Sequence, residues 1–359
     1  LRLLVAGGGT GGHFFPALAV SKELLRRGNE VLYVGSFGGI EEREKFPTKK
    51  VLLKVSGFIG RGIRGYLESY RFVTSTFKVL KLIEEFKPDA AVVFGGYSSL
   101  PVGISSVIRG VPLFVQEQNS VPGRVNRLLS RFSERCFLGF PPASSYLSET
   151  AEFTGNPVRR GVLEKRKLKR EVLLEEFGLD RDKKVLVVIG GSQGALWINE
   201  LVLKSIPLIS KLPLQVVHIT GRSKKEEELK EKYREFNVKA LVFPFYRDVG
   251  KIYRLADAAV SRAGALAISE MSLFGVPSLL IPFPFAADNH QLKNAEYVEK
   301  IGGALCKTQG ELTEKIFSEE VERLLFDRIL RSKLRENFLK FSRPYATETV
   351  VERVCSRRN

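Results

Sequence analysis

Short apolar runs of strand length alternate with helical patterns from one end of the chain to the other, which is how parallel α/β domains read. In the first half the runs predict strands at residues 3–6, 31–34, 51–55, 90–94, 113–115 and 136–138, and an extended stretch at 152–154. Helices are predicted between them, for example at 16–27, 69–86 and 124–131. A second series of strands is predicted at 184–189, 214–219, 240–243, 258–261, 278–281 and 304–307, and the tail from about residue 314 reads as helical. Between the two series, residues 161–176 are dense in charge and hold Lys165-Arg166-Lys167, as suits a linker and an exposed helix. At 359 residues the chain is long enough for two domains. The boundaries expected are 1–160 and 161–342, with a last helix at about 343–359 packing back onto the first domain.

The two halves read as distant copies. Leu3-Leu4-Val5-Ala6 runs into Gly7-Gly8-Gly9-Thr10-Gly11-Gly12, and Val187-Val188-Ile189 runs into Gly190-Gly191-Ser192-Gln193-Gly194-Ala195. Gly110-Val111-Pro112 precedes a strand in the first half, as Gly275-Val276-Pro277 does in the second. Glycine loops after first strands lie at the carboxyl edges of parallel sheets, where such folds bind ligands. The fold expected is α/β, two Rossmann-like domains whose parallel sheets face a central cleft.

Charge narrows the partners. Lys and Arg number 57 against 40 Asp and Glu, a surplus of 17 that favours nucleic acid, anionic lipid head groups or phosphate-bearing substrates. A solvated surface of a heat-adapted protein would read the same way. No nucleic-acid-binding module pattern is visible, so nucleic acid is not an expected partner. No apolar run approaches the roughly 20 residues that cross a bilayer. The chain opens on a strand and a glycine loop rather than a basic start and apolar core, which reads as cytoplasmic. Cys136, Cys306 and Cys355 are far apart, as are His13, His218 and His290. Neither a disulfide framework nor a metal site is expected, and no cofactor.

Gly7, Gly9 and Gly12 fit the dinucleotide pattern by count, but the second strand ends Val34-Gly35-Ser36-Phe37 with no acid to hold a ribose. The loop continues into His13, which places an imidazole at the start of the following helix. The loop after Ile189 lacks the Lys and Ser or Thr of a Walker site. Its backbone N–H groups at a helix end would still hold a diphosphate without lysine or metal. Gly95-Gly96-Tyr97-Ser98-Ser99 and Arg262-Ala263-Gly264-Ala265 are further loops of this kind, and four of them suggest a large ligand carrying phosphates. Gln116-Glu117-Gln118-Asn119 and Asp288-Asn289-His290-Gln291 place carboxamides at the same edges, where they suit sugar hydroxyls. Asp288 also reads as a helix cap. His13 is the candidate general base, His290 a candidate substrate contact, and His218 a structural strand residue.

Taken in order, Gly8-Gly9-Thr10-Gly11-Gly12-His13, Gly95-Gly96-Tyr97, Glu117-Gln118-Asn119, Gly155-Asn156-Pro157-Val158-Arg159, Gly190-Gly191-Ser192-Gln193-Gly194 and Ser261-Arg262-Ala263-Gly264-Ala265 closely resemble the MurG family of peptidoglycan N-acetylglucosaminyltransferases. The resemblance runs over nearly the whole chain. It implies a GT-B fold and transfer of GlcNAc from UDP-GlcNAc to the C4 hydroxyl of undecaprenyl-diphospho-MurNAc-pentapeptide (lipid I), with inversion, to give lipid II. It makes His13 the base, and Thr10, beside Gly11 and Gly12, contacts the donor sugar together with Asn119. Arg159 and Ser192, with Gln193 and Gly194 of the same loop, lie at the donor phosphates. Glu270 holds the ribose hydroxyls, and Gln291 with His290 meets the GlcNAc hydroxyls. Tyr246 and the backbone of Gly264, Ala265 and Leu266 frame the uracil and diphosphate. Many relatives carry a Thr where this chain has Ala267, so no hydroxyl contact comes from that side chain.

The resemblance also gives the stretch from Phe58 to Lys81 a purpose. Ile63, Tyr66, Leu67, Tyr70, Phe72, Val73 and Phe77 are interleaved there with Arg61, Arg64, Arg71, Lys78 and Lys81. Such a mixture suits a peripheral surface on an anionic leaflet, here the cytoplasmic face of the inner membrane. Val73 and Phe77 fit a core-facing helix side equally. Cell-wall synthesis or division proteins are candidate partners. The alternative is another GT-B enzyme, such as a diacylglycerol glycosyltransferase or a UDP-GlcNAc 2-epimerase.

Overall fold

The computed structural model describes residues 1–55, 63–190 and 195–356, and for residues 63–68 the backbone alone. The chain forms two compact units, Leu1–Arg159 with Arg343–Asn359, and Arg160–Ser342.

In the first unit β1 (Arg2–Ala6), β2 (Glu30–Ser36), β3 (Lys50–Leu53), β4 (Ala90–Val93), β5 (Leu113–Glu117), β6 (Arg135–Leu138) and β7 (Ala151–Phe153) form one sheet. Its order is β3-β2-β1-β4-β5-β6-β7, parallel throughout. The chain grows outward from β1 to one edge, then crosses back to β4, so strand order reverses between β1 and β4. Side chains of a strand alternate between faces. Leu3, Val5 and Val92 therefore pack under Phe14 and Val20 of the helix Gly11–Arg26, together with Val350, Val351 and Val354 of the helix Ala346–Cys355. Leu4, Ala6 and Val93 face the other way, onto Val79 and Ile83 of the helix Ile63–Phe86 and Val102 of the helix Ser99–Ile108. The last helix thus belongs to the core of the first unit, and Arg353 ties it to Glu152 on β7 at 3.0 Å.

In the second unit β8 (Lys184–Ile189), β9 (Leu214–Ile219), β10 (Ala240–Phe243), β11 (Ala258–Ser261), β12 (Ser278–Leu280) and β13 (Leu305–Cys306) repeat the plan. The order is β10-β9-β8-β11-β12-β13, again all parallel, with the reversal between β8 and β11. Leu186, Val188 and Val260 pack against Ile198 and Val202 of the helix Leu196–Ile209 and Phe317 and Leu324 of the helix Glu314–Phe326.

Residues 161–176 differ from the exposed linker expected. They form the helices Arg160–Glu164 and Arg170–Glu176 and belong to the second unit. Leu173 and Leu174 are buried, and Arg170 pairs with Asp257 at 2.5 Å, so the charge is the outer face of a packed segment.

Candidate active site

His13 stands in the first turn of the helix Gly11–Arg26, just past the carboxyl end of β1. Its ring is half-buried, and Nδ1 lies 2.8 Å from Oε1 of Gln118, beyond β5. Gly95, at the end of β4, comes against the same ring. A methyl there would stand 3.0 Å from His13 Cε1, and its φ of +88° belongs to glycine. Gly96 seats against the first loop, where a methyl would meet the Gly8 carbonyl oxygen at 2.5 Å. Both positions of the Gly95-Gly96 turn therefore call for glycine where the turn meets the histidine loop.

The first glycine loop is occupied as well. The buried carboxylate of Glu41 accepts from Gly9 N at 3.0 and 2.9 Å, and from Ser36 N and Oγ at 2.7 and 2.8 Å. A protein carboxylate thus satisfies the backbone N–H of Gly9. Glu41 accounts for the Gly9 N–H, while the helix start at Gly11 and Gly12 carries neither a side-chain cap nor a first-turn acid. Glu41 lies on a four-residue helix, Ile40–Arg43, with no motif around it. Only its burial among glycines announces it.

The polar run after β5 divides in two. Gln116, Glu117 and Gln118 are buried and spent on the protein itself. The Glu117 carboxylate accepts from Asn119 N at 2.8 Å, Gly123 N at 3.2 Å and Asn126 Nδ2 at 2.8 Å. It is buried and holds the loop. The expectation that all these carboxamides meet sugar hydroxyls is corrected accordingly. Asn119 alone of the four is half-exposed, presented by Glu117. Thr10 and Gly12 are exposed and Gly11 half-buried on the histidine loop. Arg159 lies beside that loop, its guanidinium 4.7 Å from the ring centre of Phe15. The first unit thus gathers Thr10, Gly11, Gly12, His13, Asn119 and Arg159 at one sheet edge.

In the second unit, Ser192, Gln193 and Gly194 lie outside the described residues. The helix that follows, Leu196–Ile209, has no acid in its first turn. The helix Ala265–Phe274 starts at the carboxyl end of β11 with neither a side-chain cap nor a first-turn acid. A methyl on Gly264 would meet nothing within 4 Å, so the approach to its N–H groups is open. Such a helix end attracts phosphate. Leu266 is half-buried there, while Glu270 is buried further along the helix and accepts from Tyr253 Oη at 3.3 Å. Tyr246 stands in an aromatic group, 5.7 Å from Phe177 and 5.3 Å from Phe243 between ring centres. Burial raises its phenol above the ordinary range.

The turn between β12 and the helix His290–Lys300 carries Asp288 and Asn289 at φ +50° and +53°. Asn289 takes the cap position without a side-chain bond, so the expected cap role of Asp288 is not found. His290 Nδ1 donates to Ala287 O at 2.7 Å. Gln291 Oε1 accepts from Phe283 N at 3.0 Å, which leaves its amide nitrogen as the end suited to a sugar oxygen. Arg262, in the motif before Gly264, is buried and donates to the carbonyls of Ile281 and Pro282 at 3.2 and 3.1 Å. Burial pushes its guanidinium down to about 10, and its role is to tie β11 to β12.

His218 is the contrast to His13. It is buried on β9 with Nδ1 3.1 Å from Tyr233 Oη and Nε2 2.9 Å from Asn199 Oδ1, and burial pushes it down to about 3.

Models of the glycosyltransferase family 28 N-terminal and C-terminal domains match residues 3–138 and 185–347. The UDP-N-acetylglucosamine–N-acetylmuramyl-(pentapeptide) pyrophosphoryl-undecaprenol N-acetylglucosamine transferase of Aquifex aeolicus is 37% identical, with 98% of each chain covered. That of Syntrophus aciditrophicus is 35% identical over 98% of this chain and 97% of its own. The crystal structure of Acinetobacter baumannii MurG superposes with a TM-score of 0.78 at 28% identity, covering 99% of both chains. The two parallel sheets and whole-length likeness agree: the chain belongs to glycosyltransferase family 28, with the GT-B fold of MurG.

Proposed function

We propose that the chain transfers GlcNAc from UDP-GlcNAc to the C4 hydroxyl of lipid I, with inversion, to give lipid II. The observation that carries the reading is His13, a half-buried imidazole anchored through one nitrogen, in a chain alike over its whole length to transferases of that name. His13 takes the proton of the acceptor hydroxyl as that oxygen bonds to C1 of GlcNAc. The bond from C1 to the diphosphate oxygen breaks, and UDP leaves with the electron pair. An imidazole suits the proton transfer near neutral pH.

The second unit is read as the donor side. The helix ends at Leu196 and Ala265, which carry no first-turn acid, would hold the diphosphate with backbone N–H groups, with Ser192, Gln193, Gly194 and Gly264 contributing; on the first unit, Arg159 is read as a phosphate contact. Glu270 would take the ribose hydroxyls, Tyr246 and Leu266 the base, and Thr10, Asn119, His290 and Gln291 the sugar. The test is GlcNAc transfer from radiolabelled UDP-GlcNAc to a short-chain lipid I analogue. No transfer to that acceptor, with transfer to diacylglycerol or epimerisation of UDP-GlcNAc alone, would overturn the reading.

The first unit's surface supports access to a lipid-linked acceptor. No helix among the described residues is long and apolar enough to cross a membrane. On the helix Ile63–Phe86, Tyr70, Val73 and Phe77 are exposed along one side, and Val79 and Ile83 are buried on the other. The alternative of a core role for Val73 and Phe77 therefore fails. Ile108, at the end of the helix Ser99–Ile108, is exposed too, and Ser105 Oγ on that helix donates to Thr76 O at 3.2 Å. Lys78 and Lys81 on the same helix as Tyr70, Val73 and Phe77 supply positive charge, Lys81 beside Glu85 at 3.8 Å. We read this as a docking face for the anionic cytoplasmic leaflet of the inner membrane. Arg61 lies outside the described residues, and Ile63, Arg64, Tyr66 and Leu67 are described in backbone only.

A further inference from the structure

Gln118 is buried, and its amide nitrogen faces Phe94 O at 2.8 Å, Gln116 Oε1 at 2.6 Å and Gln116 O at 3.2 Å. All three are acceptors. Turning the amide over would set its oxygen against three oxygens, so the nitrogen is held inward and Oε1 outward.

The neighbours repeat the same sense. Gln116 Nε2 donates to Asn156 Oδ1 at 3.0 Å, and Asn156 Nδ2 donates to Gln118 O at 3.0 Å. Each carboxamide is oriented by the next, and the chain of donors is anchored on backbone carbonyls that cannot reverse. A methyl at Gly139 would stand 2.2 Å from Asn156 Oδ1, so even the space around this network is closed.

The consequence falls on His13. Oε1 of Gln118 is acceptor-only, so the imidazole Nδ1 at 2.8 Å must carry a hydrogen. In the neutral ring the lone pair then sits on Nε2. Free imidazole side chains favour the opposite tautomer, with the hydrogen on Nε2, which cannot accept a proton there. A methyl at Gly95 would stand 3.0 Å from Cε1, so a side chain there would displace the ring from this arrangement. The charged group nearest in sequence, Glu117, is turned onto Asn119 N, Gly123 N and Asn126 Nδ2, so a neutral amide faces Nδ1.

We propose that Gln118, oriented by Gln116 and Asn156, is a positioning residue that fixes His13 in the tautomer whose Nε2 can receive the acceptor proton. This rests on the reading of His13 as the base. As the imidazolium forms, its Nδ1–H···Oε1 bond becomes charge-assisted and strengthens, so the amide also stabilises the product of proton transfer.

The test begins with the unaltered protein. Nitrogen-15 NMR of its histidines above their titration should give His13 a protonated Nδ1 and an unprotonated, downfield Nε2. The reverse assignment overturns the proposal without any variant. Gln118→Met keeps the length but removes the acceptor. It should lower kcat about 10- to 100-fold, the worth of a hydrogen bond to a charged group, with donor KM near normal and the His13 signals shifted to the Nε2–H form. Gln118→Glu, protonated on its inner oxygen, keeps an acceptor toward Nδ1. It should retain the parent tautomer and recover at least tenfold in kcat over Gln118→Met, by the same hydrogen-bond magnitude of roughly a factor of ten. A Gln118→Met protein with unchanged kcat, or with reduced kcat and unchanged tautomer, would overturn the proposal. His13→Ala with near-normal kcat ends the reading of His13 as the base and leaves the tautomer result standing.

Discussion

Glu41 grips the backbone N–H of Gly9 with both carboxylate oxygens, at 3.0 and 2.9 Å. Gly8, Gly35 and Gly39 surround that carboxylate so closely that a methyl at Gly8 would stand 2.0 Å from Oε1. The loop is thereby shaped in advance, with His13 at its end. Glu41→Ala should leave the Gly9 and Ser36 N–H groups unpaired and lower stability by about 1–3 kcal/mol. Urea denaturation would read this, and an unchanged midpoint would mean that the loop holds without the carboxylate.

His13→Ala should lower kcat by on the order of 10²–10⁴, the usual worth of a general base. UDP affinity should change little, because the diphosphate is assigned to the second unit. The acid limb of kcat/KM should vanish with the imidazole. If residual activity kept the parent pH profile while the fold weakened, His13 would be structural.

Glu270→Ala removes the carboxylate assigned to the ribose and should raise the donor KM several-fold with a smaller change in kcat. Glu270 is also buried and bonded to Tyr253, so thermal stability is measured alongside. A normal KM in a folded variant would take Glu270 away from the nucleotide.

Replacing Tyr70, Val73 and Phe77 together by Ser, with Lys78→Glu, should reduce sedimentation with anionic phospholipid vesicles. UDP affinity and melting temperature should stay near normal, because these three apolar side chains are already exposed. Equal vesicle binding by parent and variant would remove this face as the docking surface.

His218 gives a stability signature in acid. Burial holds its folded value at about 3, against 6.5 for an ordinary histidine. Between those values the unfolded chain binds a proton that the folded chain refuses. Stability therefore falls as pH drops from 6.5 toward 3, by up to about 1.4 kcal/mol per pH unit, and is unaffected above that window. Denaturation across pH 4–7 should show His218→Gln with a shallower slope than the parent, by roughly that amount per unit. Identical slopes would mean that His218 is protonated in the folded protein.

The sequence by itself determined what repeats at short range. Strand runs such as Val185-Leu186-Val187-Val188 and their intervening helices were legible because side-chain alternation and helical period are local. The paired glycine loops and the seat of His13 were legible for the same reason, being contiguous residues at strand ends. Packing was less so. The charges of residues 161–176 resembled a linker and an exposed helix, and only the fold shows Leu173 and Leu174 buried there. The tertiary structure alone decided which polar residues are available for chemistry. His13 finds Gln118 105 residues away, and Glu41 meets Gly9 32 residues away. His218 was legible as a strand residue, but only the fold shows both its ring nitrogens taken, by Asn199 and Tyr233. A hydrogen bond spends a donor and an acceptor together, and which partner arrives is set by strand order across the sheet. No local pattern encodes that order.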